Sequence, residues 1–463
     1  MTDLPQHEAI VSIMRHLHDP TFGFERYYDW ALDRTLYVFP YFLAVGLAFI
    51  IPVKLALHVT VLLAVASFPF GVLLCLRALR RPLWIGLLAV PLMYHRGFFW
   101  GFIHFGLGIG LAFVVLALLV GPWTRRTGWW VAGLSLVTAV SHIYGLLMVF
   151  AFAAALLVSG SGRELLRRLA WTIPAVLTLI AWGAFAAGAP GYGTTEWAPL
   201  ELRWKELTHS ILGGYADDSE DLILYSWLAA VVVLAARSCP LTWGRFKRLS
   251  VPSRATYLFI IANLIAYFML PVATPTAKFI HFRHAVLAAM MAPLLIERLP
   301  NNWLTRAMTL VVPAIAAAAV TNTWVHFFEF QREAVVFDAV LEAIPRRSHV
   351  VQLTYEAKGK VLRSHAYLHF GAYAQAAKGG VFAVSFPILF WNIPIKGRAG
   401  SDMPDTPKNM EWSPGRFSER RMGPFYDTVI VRNKSGALRR QSLGGRPLLL
   451  TRGEWQVFRS ATP

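Results

Sequence analysis

The run Asp3-Leu4-Pro5-Gln6-His7-Glu8 holds the chemistry that stands out most in this chain. Asp3 and His7 are four positions apart, so they share one helical face or flank a proline turn. A carboxylate so placed can take a proton from a hydroxyl, and a histidine beside it can assist. The plainer reading is a polar, frayed terminus. Other polar groups sit at the ends of apolar runs. Arg96 lies in Tyr94-His95-Arg96-Gly97-Phe98-Phe99-Trp100-Gly101-Phe102, and His142 and Tyr144 lie in Ser141-His142-Ile143-Tyr144. His281, Arg283 and His284 lie in Phe279-Ile280-His281-Phe282-Arg283-His284-Ala285-Val286. Ionisable groups in membrane segments lean towards function. Against that, an arginine at the lip of a span also serves as a snorkelling anchor. A histidine such as His104, inside an apolar run, also serves as a satisfied bundle residue.

The elements that must position these groups are apolar. The chain has 463 residues, 56% hydrophobic and 15% charged. Soluble domains carry roughly 25% charged residues, so the deficit, with a mean hydropathy of +0.49, points to an integral membrane protein. The 17 Trp and 31 Phe fit aromatic anchoring at both interfaces. The net charge of +18 resides in short loops between apolar runs. That is how topology is set, so no nucleic-acid partner is expected. Cys75 and Cys239 end apolar runs beside arginines, which places both in a reducing cytoplasm with no disulfide. The first 35 residues are too polar for a signal peptide.

Ten spans are expected, near 55–76, 83–95, 98–120, 129–141, 144–160, 169–188, 222–238, 255–271, 284–298 and 304–322. Every second connection is basic, beginning with Arg77, Arg80 and Arg81, then Arg125 and Arg126, then Arg163, Arg167 and Arg168. The series continues with Arg237, Arg245, Lys247, Arg248 and Arg254, and ends with Arg298 and Arg306. These loops face the cytoplasm by the positive-inside rule, and both chain ends then lie outside. Residues 36–52 read as an interfacial or re-entrant helix. Three domains follow: 1–54 as an outer loop with interfacial helices, 55–322 as the transmembrane bundle, and 323–463 as a small extracytoplasmic α/β domain. In the last, 329–344 has helical periodicity, and 350–355, 381–386, 428–432 and 447–451 read as strands. Residues 396–424 read as loop.

The outer loop 189–221 is acidic. Its Asp217-Asp218-Ser219-Glu220-Asp221 could hold a divalent cation through carboxylates, but lacks the spacing of a calcium loop. A solvated turn before the span at Leu222 is the simpler reading. Trp197–Leu212 reads as an interfacial amphipathic helix. Gly106-Leu107-Gly108-Ile109-Gly110 reads as close helix packing. The sequence contains no phosphate-binding P-loop, metalloprotease helix or serine elbow.

With an Asp-x-Pro-x-His segment, an outer-leaflet helix, a basic loop after the next span and the aromatic turns quoted above, the chain resembles the GT-C class. These are membrane glycosyltransferases that use polyprenyl-phosphate sugars, such as protein mannosyltransferases and aminoarabinose transferases. The resemblance implies a mainly α, polytopic bundle with a soluble outer domain, in the bacterial inner membrane. It also implies a polyprenyl-phosphate-linked sugar as donor and a glycan, lipid or protein as acceptor. Asp3 would be the base, with His7 beside it. Arg283 would hold the leaving phosphate, with His281 or His284 near it and Arg96 in reserve. His142 and Tyr144 would line the substrate groove. No cofactor is required, although a divalent cation is compatible. The class places a span before its acidic loop. This chain lacks one there, and the expectation is that Met1 is an internal start. A transporter or flippase for a lipid-linked substrate, or a non-catalytic membrane scaffold, is the alternative.

Overall fold

A computed structural model of the chain describes residues 1–186, 194–238, 249–275, 277–407, 409–433, 443 and 445–460. The expectations for Cys239, Arg245, Lys247 and Arg248 lie outside them. The architecture is mainly helical, 63% helix against 8% strand. Two compact units divide it. One joins Met1–Thr60 with His326–Pro463, and the other is Val61–Val325. The N-terminal segment therefore belongs with the C-terminal region and is not a separate loop.

Among the described residues, six helices are long and apolar enough to cross a membrane: Val53–Ala78, Ile103–Val120, Arg163–Ala184, Ser219–Ser238, Val251–Met269 and Trp303–Ala334. Ile143–Val158 and Ile280–Leu295 are shorter apolar helices. The second unit exposes many large apolar side chains, among them Leu62, Phe70, Ile180, Val232, Ile261 and Leu310, which suits lipid rather than water. Small residues let its helices approach. A side chain at Gly110 would collide with Ser67, and one at Gly145 with the Gly108 carbonyl. The glycine run is thus a packing device at Gly108 and Gly110, while Gly106 faces open space.

Two expected spans take other forms. Residues 83–95 fold as short 3-10 segments, Leu83–Ala89 and Pro91–Tyr94. Pro82 and Pro91 interrupt any continuous α-helix. The run buries Ile85, Leu88 and Leu92, and the Leu88 carbonyl accepts from the Trp227 indole at 2.7 Å. Residues 129–141 lie in a 17-residue helix, Arg125–Ser141, that is not among the six. Arg81, read from the sequence as a loop charge, is buried. It donates to Ser253 Oγ at 2.7 Å and to the Leu294 carbonyl, with Glu297 at 3.9 Å. It ties three segments together.

The strands are β1 (Tyr28–Trp30), β2 (Ala273–Thr274), β3 (Ala277–Lys278), β4 (His349–Thr354), β5 (Val381–Phe382), β6 (Ile395–Gly397), β7 (Thr428–Arg432), β8 (Leu448–Arg452) and β9 (Trp455–Arg459). The main sheet has the order β5-β4-β7-β9-β8. β4 runs parallel to β5 and β7, and β9 runs antiparallel to β7 and β8. β4 and β7 are buried nearly throughout, as their Val, Leu and Ile content requires of strands covered on both faces. The four expected strands are present, and β1, β2, β3, β6 and β9 are additional. The expected 329–344 helix is divided. The long helix ends at Ala334, and Val336–Ala343 then buries Phe337 and Val340.

The first unit is closed by its N-terminal helix, Leu4–His16, which begins with Pro5 in its first turn, where the missing N–H costs nothing. Its apolar residues Ile10, Val11, Ile13 and Met14 are buried, and so are Gln6, His7 and Glu8. Ser12 Oγ donates to the Ala376 carbonyl at 2.7 Å. β1 and β6 pair antiparallel, Tyr28 against Gly397. The segment is an ordered part of the core, not a frayed end.

Candidate functional site

Asp3 stands at the N-cap position of Leu4–His16 without capping through its side chain. Its carboxylate is therefore available elsewhere. The side chain is 18% exposed, and Oδ1 lies 3.4 Å from His369 Nε2. His369 follows β4 in the same unit and had no sequence signal linking it to Asp3. His7 turns to Tyr41 instead, with Nδ1 2.8 Å from the phenol oxygen. Phe386 packs edge-on against both imidazoles. Burial, then the Asp3 charge, pushes the Tyr41 phenol well above its ordinary value, so it stays a hydrogen-bond donor.

Gln6 fixes where the His369 proton sits. Its Oε1 accepts from the Phe386 backbone N–H at 3.0 Å, and its Nε2 donates to the Val384 carbonyl at 2.8 Å. Those two partners settle which end of the amide is which. The Nε2 group, 3.3 Å from His369 Nδ1, can only donate. Nδ1 is then the acceptor in the neutral ring, and Nε2–H faces Asp3. One carboxylate oxygen is engaged by the ring and the other is left for a proton. This is how a carboxylate base is oriented.

Glu8 is the second unusual group. It is buried, and Oε2 has no hydrogen-bond partner. Burial pushes its carboxyl up to about 7 against the opposing pull of Lys54. The unfolded chain releases this proton near its ordinary value of 4.5, so the folded state holds more protons above it. The group's contribution is complete at acid pH and is lost as pH rises from that value towards 7, a change of about 3 kcal/mol. The thermal midpoint of the wild type should therefore fall between about pH 5 and pH 8, and Glu8→Gln should flatten that fall. An equal fall in both proteins would remove Glu8 as its cause.

The second unit gathers four of the expected residues. The Arg283 guanidinium lies 5.0 Å from the ring centres of both Phe102 and Tyr144, and 5.8 Å from that of Phe105. Cation–π contact helps hold the guanidinium among these rings. Arg283 Nη2 also donates to the Lys278 carbonyl at 3.3 Å. His142 caps the helix Ile143–Val158, its Nδ1 accepting from the Tyr144 N–H at 3.1 Å. His284 pairs with Asn263 at 2.9 Å and meets the Tyr144 ring. Arg96 and His281 lie beside this group. Arg96 is 3.9 Å from Glu206 and 5.8 Å from the Phe282 ring, and His281 packs on Tyr267. Asp3 and His7 belong to the first unit and these six residues to the second.

The interfacial helix expected at 197–212 divides into Leu200–Lys205 and Leu207–Ile211. Arg203 turns inward between them and donates to the Ala198 and Tyr267 carbonyls. Of the acidic run, Glu220 accepts from the Gly214 and Tyr215 N–H groups, and Asp217 accepts from Ser219. These carboxylates close their own turns. Among the described residues no group of three or more His, Cys, Asp or Glu side chains could hold a metal ion.

No protein-family model matches the chain, and neither a curated protein nor a solved structure matches it.

Proposed function

We propose that the chain is a GT-C-like integral membrane glycosyltransferase, moving a sugar from a polyprenyl-phosphate carrier to an acceptor on the extracytoplasmic face of a bacterial inner membrane. The observation that carries this reading is the Asp3 carboxylate, partly open and held beside an imidazole whose proton position is set by Gln6. In this reading the free oxygen of Asp3 takes the proton of the acceptor hydroxyl. The hydroxyl oxygen attacks the anomeric carbon, the bond from that carbon to the phosphate oxygen breaks, and polyprenyl phosphate leaves with inversion. His369 is the positioning residue. Arg283 offers a guanidinium fork to the phosphate, and Tyr144 and His142 flank it. The reading includes both chain ends outside the cytoplasm and a bundle of about ten spans.

Native mass spectrometry of the full chain in mild detergent tests it. A co-purified polyprenyl phosphate or its glycosyl form, lost in Arg283→Ala, is the expected result and identifies the sugar. Bulk phospholipid alone, in both proteins, would overturn it in favour of a transporter or scaffold.

A further inference from the structure

The helices Ser219–Ser238 and Trp303–Ala334 leave an apolar furrow of about 530 Å³ between them, lined by residues of the second unit alone. Small side chains open it. Ser226 and Ala229 line it from the first helix, and Ala314 and Ala318 from the second. From Leu222 to Val233 the lining covers roughly 16 Å of helix at the usual rise. Over that length the volume gives a cross-section of roughly 30 Å², against roughly 80 Å² for a helix about 10 Å across. The furrow therefore fits a hydrocarbon chain better than another helix.

Its place along the second helix says what surrounds it. Trp303 and Trp324 are both strongly exposed, and exposed tryptophans settle at the two headgroup levels. The helix between them is roughly 32 Å long, close to the thickness of a hydrocarbon core. Met308 to Ala318 then lie inside the hydrocarbon layer.

The two ends of the furrow differ in charge. The Glu297 N–H donates to Ser238 Oγ at 2.6 Å, which brings the end of the first helix beside the segment that leads into Trp303. Arg237 stands one turn past Val233 on the same helical face, and it is exposed. Arg298 and Arg306 lie on the leading segment and in the first turn of the second helix. Glu297 is the carboxylate of these segments. It sits 3.9 Å from Arg81 and accepts from the Ser250 N–H and hydroxyl. Among the described residues no carboxylate pairs with Arg237, Arg298 or Arg306. The opposite end carries Asp217, Asp218, Glu220 and Asp221, so an anion has one favoured end.

We infer that this furrow holds one acyl tail of an anionic phospholipid, with its phosphate at the Arg237 end. A guanidinium fork suits a phosphate, and basic groups between spanning helices collect anionic headgroups. The lining does not include Arg283, so the inference stands apart from the transferase reading.

Photolabelling of the full chain in phosphatidylcholine vesicles tests this. One probe is phosphatidylglycerol with a diazirine midway along one tail, and the other is phosphatidylcholine with the same tail. The phosphatidylglycerol label should concentrate on 222–233 and 308–318, at about fivefold the level of the phosphatidylcholine label, the worth of one basic group beside anionic lipid. Arg237→Gln should bring the two labels to the same level. Ala314→Leu, at an exposed position where a larger side chain fills the furrow and leaves the core alone, should remove most of both labels from it. Even labelling of all the apolar helices, equal labelling by the two probes in the wild type, or labelling unchanged in either variant would overturn the inference. So would chain-to-chain cross-links at Ala229 and Ala314, which would seat a second copy there. Displacement of the phosphatidylglycerol label by a small fraction of polyprenyl phosphate would overturn it too, by giving the furrow to that carrier.

Discussion

Asp3→Asn should lower sugar transfer by about 10²–10⁴-fold, the usual worth of a positioned general base, while carrier binding stays unchanged. The asparagine keeps the shape and the contact to His369 Nε2–H but cannot take the acceptor's proton. His369→Ala should cost less, on the order of tenfold, because orientation is lost and the carboxylate is kept. Arg283→Ala should show the reverse split, with weaker carrier binding from the loss of a charge-assisted fork. Single-turnover transfer in proteoliposomes, using the carrier identified by mass spectrometry, separates the three. Transfer that survives in both Asp3→Asn and Arg283→Ala would sink the site.

The largest expected loss of stability is at Arg432. This side chain ends β7 and is almost wholly buried. Its Nη2 lies 2.5 Å from Glu454 and 3.9 Å from Glu333. Its Nη1 donates to the Glu356 and Lys358 carbonyls, and its guanidinium lies 3.8 Å from the centre of the Tyr367 ring. Removing it takes the cation away from both Glu454 and Glu333. Breaking a buried pair in this way costs about 3–5 kcal/mol, which lowers the melting transition of that unit by roughly 10 °C. Replacing Arg432 and Glu454 together with Met and Gln should recover much of the loss, since an unpaired charge is worse than none. Melting of Arg432→Ala at the wild-type temperature would show that water reaches the site and screens it.

Much of the bundle was legible because membrane helices declare themselves by length and composition. Val53–Ala78, Ser219–Ser238 and Val251–Met269 fall within a few residues of the apolar runs. Residues 83–95 were misread because hydropathy does not register Pro82 and Pro91, which turn an apolar run into short buried turns. Arg81 was misread for a related reason: charge alone does not tell a loop residue from a buried crosslink. The site was half legible. Asp3 drew notice by its spacing to His7, yet the imidazole that faces it comes from residue 369. No local pattern encodes a partner brought in by tertiary packing. Gln6 was passed over because an amide carries no charge, although it decides where the His369 proton lies.

The pairing of β1 with β6 reaches across most of the chain. Asp29 on β1 meets Arg398, 369 positions later. A ribosome adding about 5–20 residues per second needs roughly 20–70 s to deliver that partner. Throughout that interval the side of Leu4–His16 that packs on Ala372–Lys378 and the edge of β1 lack those partners, although Tyr41 is already at hand. Helices between them can enter the membrane as they are made, but the first unit is a late product of synthesis. Truncation shortly before residue 395 should therefore leave inserted helices beside an N-terminal segment open to protease, and biogenesis would depend on a chaperone that shields that segment until the chain is finished.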